Sequence, residues 1–193
     1  MFGLKNPSPN PAHRKMPVSS IVRPQKHCPM PFEIRKARPE DFPAIQQMLE
    51  LYQYELSDIW QQDADTEAKY GFDLNRHKQG ERFHAHVILQ KSQYAGFALV
   101  APAIVTRKEG FWMEQFFILK RYRRQAAGHS LANHVFCSHP GLWEVGQMPA
   151  NYPAQDFWRQ VIGAATAGAF VELEVTEGWW QGVVQQFRFP TAA

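Results

Sequence analysis

The feature that most constrains the fold is the stretch from residue 117 to residue 131, where an apolar run meets positive charge and then a turn of small residues. Phe116–Leu119 is apolar, four of the next five residues are basic, and a helix-like pattern begins at Gly128. A strand that passes through a short loop into a helix binds phosphate, because the first N–H groups of the helix are unpaired and its dipole adds about half a positive charge. Basic side chains at the rim add charge-assisted hydrogen bonds. The stretch therefore predicts a site for a di- or polyphosphate.

Two other phosphate-binding motifs are excluded by the same residues. No Gly-Lys-Ser or Gly-Lys-Thr follows the strand, as the lysine-containing phosphate loop requires. The loop has a single glycine, Gly128, whereas a dinucleotide-binding loop has a set of glycines.

The spacing of apolar residues along the rest of the chain predicts the order β-α-(α)-β-β-β-α-β-α-β-β. Residues 42–56 and 154–162 have the period of a helix, and so does the stretch after the basic loop. Strands are predicted at 32–37, 83–89, 94–100, 110–119, 142–146, 170–176 and 181–189. The polar stretch 57–82 is predicted to be a loop or a short second helix, anchored by Tyr70 and Phe72. Because strands precede both central helices, the order predicts an α/β (α+β) fold in which a mixed sheet carries helices on both faces.

Length and composition favour one globular domain. The chain has 193 residues, of which 45% are hydrophobic and 13% aromatic, and such a composition is typical of a packed core. No apolar run approaches the ~20 residues of a membrane span, so no membrane partner is expected. The two cysteines, Cys28 and Cys137, make neither a disulfide framework nor a zinc spacing, which favours a reducing, cytoplasmic location.

Charge divides the chain into two parts. Residues 1–31 contain five basic residues, no acidic residue and seven prolines, so they predict a disordered basic extension. Residues 32–193 form the predicted domain and carry a net charge of −2, since the whole chain carries +3. A near-neutral domain has no overall attraction for nucleic acid, so no nucleic-acid partner is expected.

The basic loop resembles the cofactor loop of the GNAT N-acyltransferase superfamily, which reads Arg/Gln-x-x-Gly-x-Gly/Ala after a strand. Here the loop reads Arg-Arg-Gln-Ala-Ala-Gly from Arg123 to Gly128, with Tyr122 before it. It departs from the pattern at one position, where Ala126 stands in place of the family's first glycine. The Cβ of an alanine matters there if the backbone requires a positive φ or a close approach to phosphate.

Other segments extend the resemblance over residues 32–165, in the family's order. The family's Asn-x-x-Ala-x-x-Phe-Tyr pattern is matched by Asn151, Ala154, Phe157 and Trp158, with Trp where Tyr is common. Residues 114–118 resemble the acidic start of the strand before the loop in small-amine acetyltransferases. Residues 32–41 and 95–100 resemble the family's opening strand with its helix cap and its third strand.

The resemblance implies a GNAT-like, mostly antiparallel mixed sheet and an N-acetyltransferase, which moves the acetyl group of acetyl-CoA directly to a primary amine of a small molecule or peptide in a ternary complex. It also implies acetyl-CoA as co-substrate. We expect no metal, and a monomer or homodimer. In the family, the strand that ends here at Leu119 and the strand at 142–146 diverge, and the pantetheine arm lies between them. The residues expected to bind the cofactor are Phe117, Ile118, Leu119, Arg123, Arg124, Gln125, Ala126, Ala127, Gly128, His129, Asn151, Phe157 and Trp158.

Glu114 is the residue predicted to take a proton from the amine, through a water molecule. Alternation along the strand places it on the same face as Phe116 and Ile118, in a partly apolar cleft where burial would raise its pKa into a useful range. The alternative is a strand glutamate that is solvated or salt-bridged.

The position of the family's general acid is occupied by Trp158, whose indole N–H donates a hydrogen bond but does not titrate. Tyr152 is the substitute acid predicted from its proximity in sequence, and Trp158 is then a wall of the cofactor site or part of the core. Asn151 is an N-cap of the next helix or a partner of the pantetheine amides, and the two roles are compatible. His84 and His86 share a strand face, but they lack an evident third ligand for a metal.

Two functions of other classes remain open from the sequence. Ala126 and Trp158 depart from the family at the cofactor and acid positions, which favours a non-catalytic acyl-CoA-binding protein as the alternative. The charges of residues 1–31 favour association with nucleic acid, although no aromatic residues are interleaved with them.

Overall fold

A computed structural model describes residues 32–106 and 109–190 of the chain. The disordered basic extension predicted for residues 1–31 lies outside the described residues. The helices and strands below therefore belong to the predicted domain.

Seven strands and four α-helices follow one another in the predicted order. The strands are β1 Glu33–Lys36, β2 His84–Gln90, β3 Gln93–Ala101, β4 Phe111–Ile118, β5 Gly141–Gln147, β6 Phe170–Val175 and β7 Gly182–Phe189. The α-helices are α1 Phe42–Trp60, α2 Asn75–Gln79, α3 Ala127–Ser138 and α4 Tyr152–Thr166, and short 3-10 helices at Pro39–Asp41 and Lys120–Tyr122 precede α1 and α3. The order β-α-(α)-β-β-β-α-β-α-β-β and the α/β class are confirmed. Among the described residues, no helix is both long enough and apolar enough to cross a membrane.

One seven-stranded sheet carries the fold, in the order β1-β2-β3-β4-β5-β7-β6. Neighbouring strands pair antiparallel, except that β4 and β5 are parallel. This parallel pair is joined at Phe111–Trp143 and at Trp112–Glu144, although the strands are eight and seven residues long. Beyond Trp112 the described residues of β4 and β5 therefore diverge, and the sheet opens at its centre.

Helices cover both faces of the sheet, as predicted. On one face, which we call the α1 face, Ile45 and Leu49 of α1 pack against Phe97 and Phe117. On the opposite face, α3 and α4 pack on the other side chains of the same strands, in a core that includes Ala98, Ile118, Leu131, Val135, Val145 and Ile162. Each large apolar side chain buried in this way contributes about 1.5–3 kcal/mol.

Asp41 fixes the start of α1. Its buried carboxylate accepts hydrogen bonds from two guanidinium nitrogens of Arg35 on β1, at 2.5 and 2.9 Å. It also accepts from the Arg38 N–H at 2.6 Å and from the Tyr94 hydroxyl of β3 at 2.7 Å. The Arg35 guanidinium holds the pKa of Asp41 well below its usual range. One carboxylate thus joins two strands to the helix and sets the position of α1 over the sheet.

The polar stretch 57–82 contains both a loop and a short second helix, α2. Phe72 packs against the core under α1, as predicted, and the Tyr70 N–H donates to a glutamate of α1 at 2.7 Å. The buried anchors of this stretch are Leu74 and His77, which the sequence did not single out.

Candidate active site

The basic loop joins β4 to α3 through a tight turn. The first hydrogen bond of α3 runs from the Ser130 N–H to the Ala126 carbonyl, at 2.9 Å. Because a helix leaves its first four N–H groups without a partner inside the helix, those of residues 126–129 are available to a ligand. The predicted strand, loop and helix are therefore present, and the positive end of the helix dipole lies at the loop.

Ala126, which replaces the family's first glycine, has a φ of 63° at the N-cap position of α3. This left-handed conformation costs a residue with a Cβ about 1–2 kcal/mol, whereas a glycine adopts it freely. The backbone angle therefore explains why a glycine is preferred there. Arg124 has a similar φ of 60°, so the loop is strained at two positions.

Gly128 is required by packing. A Cβ at this position would lie 3.0 Å from the Phe157 ring of α4, which is closer than ordinary van der Waals contact. The Phe157 ring lies 5.8 Å from Phe116 and 5.5 Å from His129, measured between ring centroids. The glycine lets α4 approach the start of α3, so a bulkier residue would displace Phe157 first.

The Arg123 side chain holds the loop to the rest of the protein. Its guanidinium donates to the Ile118 carbonyl at 2.7 Å and to Glu55 of α1 at 2.7 Å, and it lies over the Phe117 ring. The expectation that Arg123 binds the cofactor stays a prediction, and the charge of its side chain is already paired with Glu55. Arg124 is the exposed cation that remains in the turn.

The other residues predicted at the cofactor loop are placed mainly in the cores. The side chains of Phe117, Ile118 and Ala127 are buried, and the Leu119 N–H donates to the Ala95 carbonyl at 2.9 Å. Gln125 is exposed and donates to the Arg121 carbonyl at 2.8 Å, which braces the loop. The apolar members of this group can meet a cofactor through their backbone groups.

A pocket of about 640 Å³, including the part that is open to solvent, lies where β4 and β5 diverge. Its walls come from α1, from the part of β4 that is not paired with β5, from the end of β5, from the start of α4 and from the loop before β7. Phe116 and Trp158 line it on the α3/α4 side, and Tyr52 and Trp60 line it from α1. The divergence therefore connects the two faces of the sheet, so that ligands held on opposite faces can meet.

Glu114 occupies a β-bulge of β4. The pairing with β3 steps from Leu99–Gln115 to Val100–Met113, so Glu114 is an extra residue without a partner on β3. The bulge resets the alternation of side chains along the strand. The prediction that Glu114 shares a face with Phe116 is therefore wrong, since Phe116 packs against α4 and Glu114 faces α2 on the α1 face.

The Glu114 carboxylate lies between two basic groups of α2. One oxygen accepts from Arg76 Nη2 at 3.0 Å, and the other lies 3.0 Å from His77 Nε2 without the alignment of a hydrogen bond. The side chain is 16% exposed and lines the pocket. This is the salt-bridged alternative considered from the sequence, but it leaves the buried Oε2 without a hydrogen-bond partner.

The two tyrosines near the site differ in their exposure and in whether they line the pocket. Tyr152, the acid predicted from the sequence, is 68% exposed and is not among the described residues that line the pocket. Tyr52 of α1 is the one hydroxyl among those residues, and it packs on Phe117 with 5.6 Å between ring centroids. Burial raises the pKa of Tyr52 to about 12, so it stays protonated at neutral pH. The sequence placed Tyr52 only within the helix predicted over residues 42–56.

Trp158 and Asn151 both line the pocket from α4. Trp158 is 5% exposed, and its ring lies 4.8 Å from Phe116 and 5.1 Å from Phe157, so the wall and the core interpretations both describe it. The Asn151 Oδ1 accepts from the Ala154 N–H at 3.2 Å, which makes it the N-cap of α4.

Three tryptophans of the pocket were not identified from the sequence. Trp60, Trp112 and Trp180 come from α1, from β4 and from the loop before β7, which are far apart in the chain. A Cβ at Gly146 would collide with the Trp112 and Trp180 side chains, so a glycine within β5 is what admits them. A glycine inside a predicted strand was the available signal, because it marks close approach of another group.

A cluster of four histidines lies where β2 meets α3. His86 Nε2 is 3.0 Å from His139 Nε2, His84 stacks on His139, and His134 meets His86 edge-on. Burial, followed by repulsion from neighbouring basic groups, lowers the pKa of His86 to about 3 and that of His139 to about 4. Within residues 32–106 and 109–190, no three or more His, Cys, Asp or Glu side chains are arranged to hold a metal ion.

No protein-family profile matches the sequence, and no curated protein is significantly similar to it. Solved structures do match. An acetyltransferase of the GNAT family from Staphylococcus aureus Mu50 matches with a TM-score of 0.58 and 10% identity, over 82% of this chain and 99% of its own. The PaiA N-acetyltransferase from Thermoplasma acidophilum, in complex with coenzyme A, matches with a TM-score of 0.56 and 13% identity, over 83% of this chain and 100% of its own.

A third match is the ribosomal-protein-S18-alanine N-acetyltransferase from Escherichia coli. Its TM-score is 0.54 and its identity 15%, over 84% of this chain and 96% of its own. These likenesses cover nearly the whole length of each solved chain. The protein therefore has the GNAT acetyltransferase fold, as its motifs imply.

Proposed function

We propose that the protein is an acetyl-CoA-dependent N-acetyltransferase, which transfers the acetyl group to a primary amine by direct attack in a ternary complex. The observation that carries the proposal is the pocket between β4 and β5, because it connects the side of the sheet next to the phosphate-type loop with a carboxylate on the other side. The fold supports the same activity, since one protein with this fold was solved with coenzyme A.

The cofactor would be held mainly by backbone groups. The N–H groups of residues 126–129 meet the pyrophosphate, and the exposed Arg124 adds a charge-assisted contact. Beyond Trp112, β4 is not paired with β5, so its N–H and C=O groups on that edge can pair with the pantetheine amides as an added strand would. Trp158 and Asn151 form the wall along this arm.

Glu114 would act as the base of the reaction. An ammonium has no lone pair, so the amine must lose a proton before it attacks the thioester carbonyl carbon. The buried Glu114 Oε2 has no hydrogen-bond partner and lies at the pocket, so it can accept that proton directly or through water. The new C–N bond then forms as the C–S bond breaks, and the nitrogen passes a second proton to the sulfur, which yields the N-acetyl amide and coenzyme A as the thiol.

Tyr52 would assist the leaving thiolate. Its phenol is protonated at neutral pH and lines the pocket, so it can donate a hydrogen bond to the sulfur as negative charge develops. A thiol has a pKa of about 8.5, so the thiolate is a tolerable leaving group and this contribution is modest.

A non-catalytic acyl-CoA-binding protein is the second candidate. It is favoured by the buried Trp158, which cannot titrate, and by the strained Ala126, which would weaken a loop built for a glycine. The two candidates differ in turnover and not in cofactor binding.

The test combines a turnover assay with a binding measurement. The full chain is supplied with acetyl-CoA and a panel of primary amines while free thiol is followed, and coenzyme A binding is measured by calorimetry. We expect amine-dependent thiol release together with binding. Coenzyme A binding without thiol release for any amine of the panel would favour the non-catalytic candidate. Absence of coenzyme A binding would contradict both candidate functions.

A further inference from the structure

The charges around the pocket restrict the amine it can accept. Glu114 is the one charged side chain among the described residues that line the pocket, and it already contacts Arg76 and His77. Among the described residues that line the pocket, no second carboxylate is present to pair with a second ammonium on the acceptor. The same residues include no cationic side chain to pair with a free carboxylate on the acceptor. Burying an unpaired charge is costly, so polyamines and free amino acids fit poorly.

The pocket walls near the end of α1, β4 and the loop before β7 are aromatic. Trp112 and Trp180 lie with 5.2 Å between ring centroids, and both press on β5 at Gly146. Trp60 is partly exposed and lines the pocket from the end of α1. Indole faces provide apolar contact for a flat body, and they also attract an ammonium group.

Besides Glu114 Oε2, three buried polar atoms of the residues that line the pocket have no hydrogen-bond partner. They are the donor Trp180 Nε1 and the acceptors Gln115 Oε1 and Gln147 Oε1. Buried polar atoms are nearly always paired, because an unpaired one costs about 1–3 kcal/mol. A ligand that satisfies both kinds of atom must carry an acceptor and a donor, and a neutral amide supplies both.

We infer that the acceptor is a primary monoamine with an aromatic body and a neutral amide next to the amine, bound against Trp60, Trp112 and Trp180. This inference rests on the proposed acetyl transfer. One proton passes from the ammonium to Glu114 and on to solvent, and the amine nitrogen then bonds to the acetyl carbon as the thioester C–S bond breaks. The second proton lost by the nitrogen passes to the sulfur, which leaves as the thiol of coenzyme A. The acceptor's amide carbonyl accepts from Trp180 Nε1, and its amide N–H groups donate to the two glutamine oxygens.

The experiment compares kcat/KM for four amines on the full chain with acetyl-CoA: tryptophanamide, tryptamine, glycinamide and spermidine. We expect tryptophanamide to exceed glycinamide and spermidine by about 10–100-fold, as expected for burial of one aromatic ring. Trp180→Phe removes the N–H and keeps an aromatic ring, so it should lower kcat/KM about tenfold for tryptophanamide and less for tryptamine, which lacks the carbonyl. Trp179→Phe is the matched control, because Trp179 is 60% exposed and is not among the described lining residues.

The outcomes separate this inference from the proposed function. If glycinamide or spermidine reacts as well as tryptophanamide, or if Trp180→Phe and Trp179→Phe behave alike, the acceptor class is overturned while acetyl transfer stands. If coenzyme A binds but no amine reacts, the proposed activity fails. Calorimetry of tryptophanamide with the coenzyme A complex then decides the class: binding that Trp180→Phe weakens supports it, and absence of binding overturns it.

Discussion

The two sides of the candidate site are built in different ways. The cofactor side, which we define as residues 123–129 with Phe157 and Trp158, is mostly one continuous segment, and the proposed function has it bind its ligand through backbone N–H groups. The acceptor side, defined as Tyr52, Trp60, Trp112, Glu114 and Trp180, consists of side chains from three separate segments. The shape of a loop that binds through its backbone is determined by a short continuous stretch of sequence. The arrangement of side chains from separate segments is determined by how the whole domain folds.

This difference predicts where substitutions act. Changes on the acceptor side remove particular side-chain groups, so they should alter turnover with little effect on coenzyme A binding. Changes on the cofactor side alter backbone geometry, so they should alter coenzyme A affinity and stability together.

Glu114→Gln should have the largest effect. The amide preserves size but cannot accept the proton, so kcat/KM should fall by about 10²–10³-fold, as for loss of a general base. Coenzyme A affinity should barely change, because Glu114 faces α2 on the α1 face. The rate should recover in part at high pH, where more of the amine is neutral.

Glu172→Gln is the control for this change. Glu172 pairs with Arg159 at 2.8 Å and is not among the described residues of the pocket, so the same chemical change there should leave kcat/KM unchanged. Equal rates for the Glu114 and Glu172 variants at neutral pH would remove the base from the mechanism.

Tyr52→Phe should lower kcat about tenfold and leave the KM for the amine unchanged, because only a hydrogen bond to the leaving sulfur is lost. Tyr152→Phe removes the same hydroxyl from the residue predicted from the sequence, and it should have no effect since Tyr152 is exposed. Steady-state rates of the two variants, measured side by side, decide between the tyrosines. A larger loss in the Tyr152 variant would reverse the assignment.

The histidine cluster at the far end of α3 should make stability depend on pH. The pKa values of His86 and His139, about 3 and about 4 in the folded protein, lie below the ordinary value of about 6.5. As the pH falls below 6.5, the unfolded chain therefore binds protons that the folded chain does not, and stability is lost progressively toward pH 4. The expected loss in free energy of unfolding is about 1 kcal/mol per pH unit.

Urea unfolding at a series of pH values measures this slope. In the double variant His86→Gln, His139→Gln the slope between pH 6.5 and pH 4.5 should become shallower, whatever the change in absolute stability. An unchanged slope would show that other groups cause the acid sensitivity.

Ala126→Gly should have the smallest effect and the opposite sign. A glycine relieves the positive φ, so it should stabilise the fold by up to about 1 kcal/mol and raise coenzyme A affinity a few-fold. Ala127→Gly is the matched control: Ala127 is buried in the first turn of α3, so the same change there should destabilise the protein by about 1 kcal/mol. Thermal unfolding would measure the stability of both variants, and calorimetry would measure their coenzyme A affinity. Changes in stability of the same sign in the two variants would contradict the role of the backbone angle.

The order of elements and the cofactor loop could be predicted from the sequence because they depend on local periodicity and on contiguous residues. The departure at Ala126 from the family's glycine also marked a position where the backbone proves to have a positive φ. The face of Glu114 could not be predicted, because one bulged residue reverses the alternation on which the prediction relied. The tryptophans of the acceptor side were missed for a related reason: their proximity depends on Gly146 and on the divergence of β4 and β5, which are properties of the sheet.

The central claim is that one pocket joins the two sides, and a crystal structure of the full chain grown with coenzyme A tests it most directly. The account predicts the pyrophosphate oxygens within about 2.7–3.2 Å of N–H groups among residues 126–129. It also predicts the thiol inside the pocket, between Trp158 and Glu114. Coenzyme A bound away from the start of α3, or a thiol that points out of the gap between β4 and β5, would contradict the account.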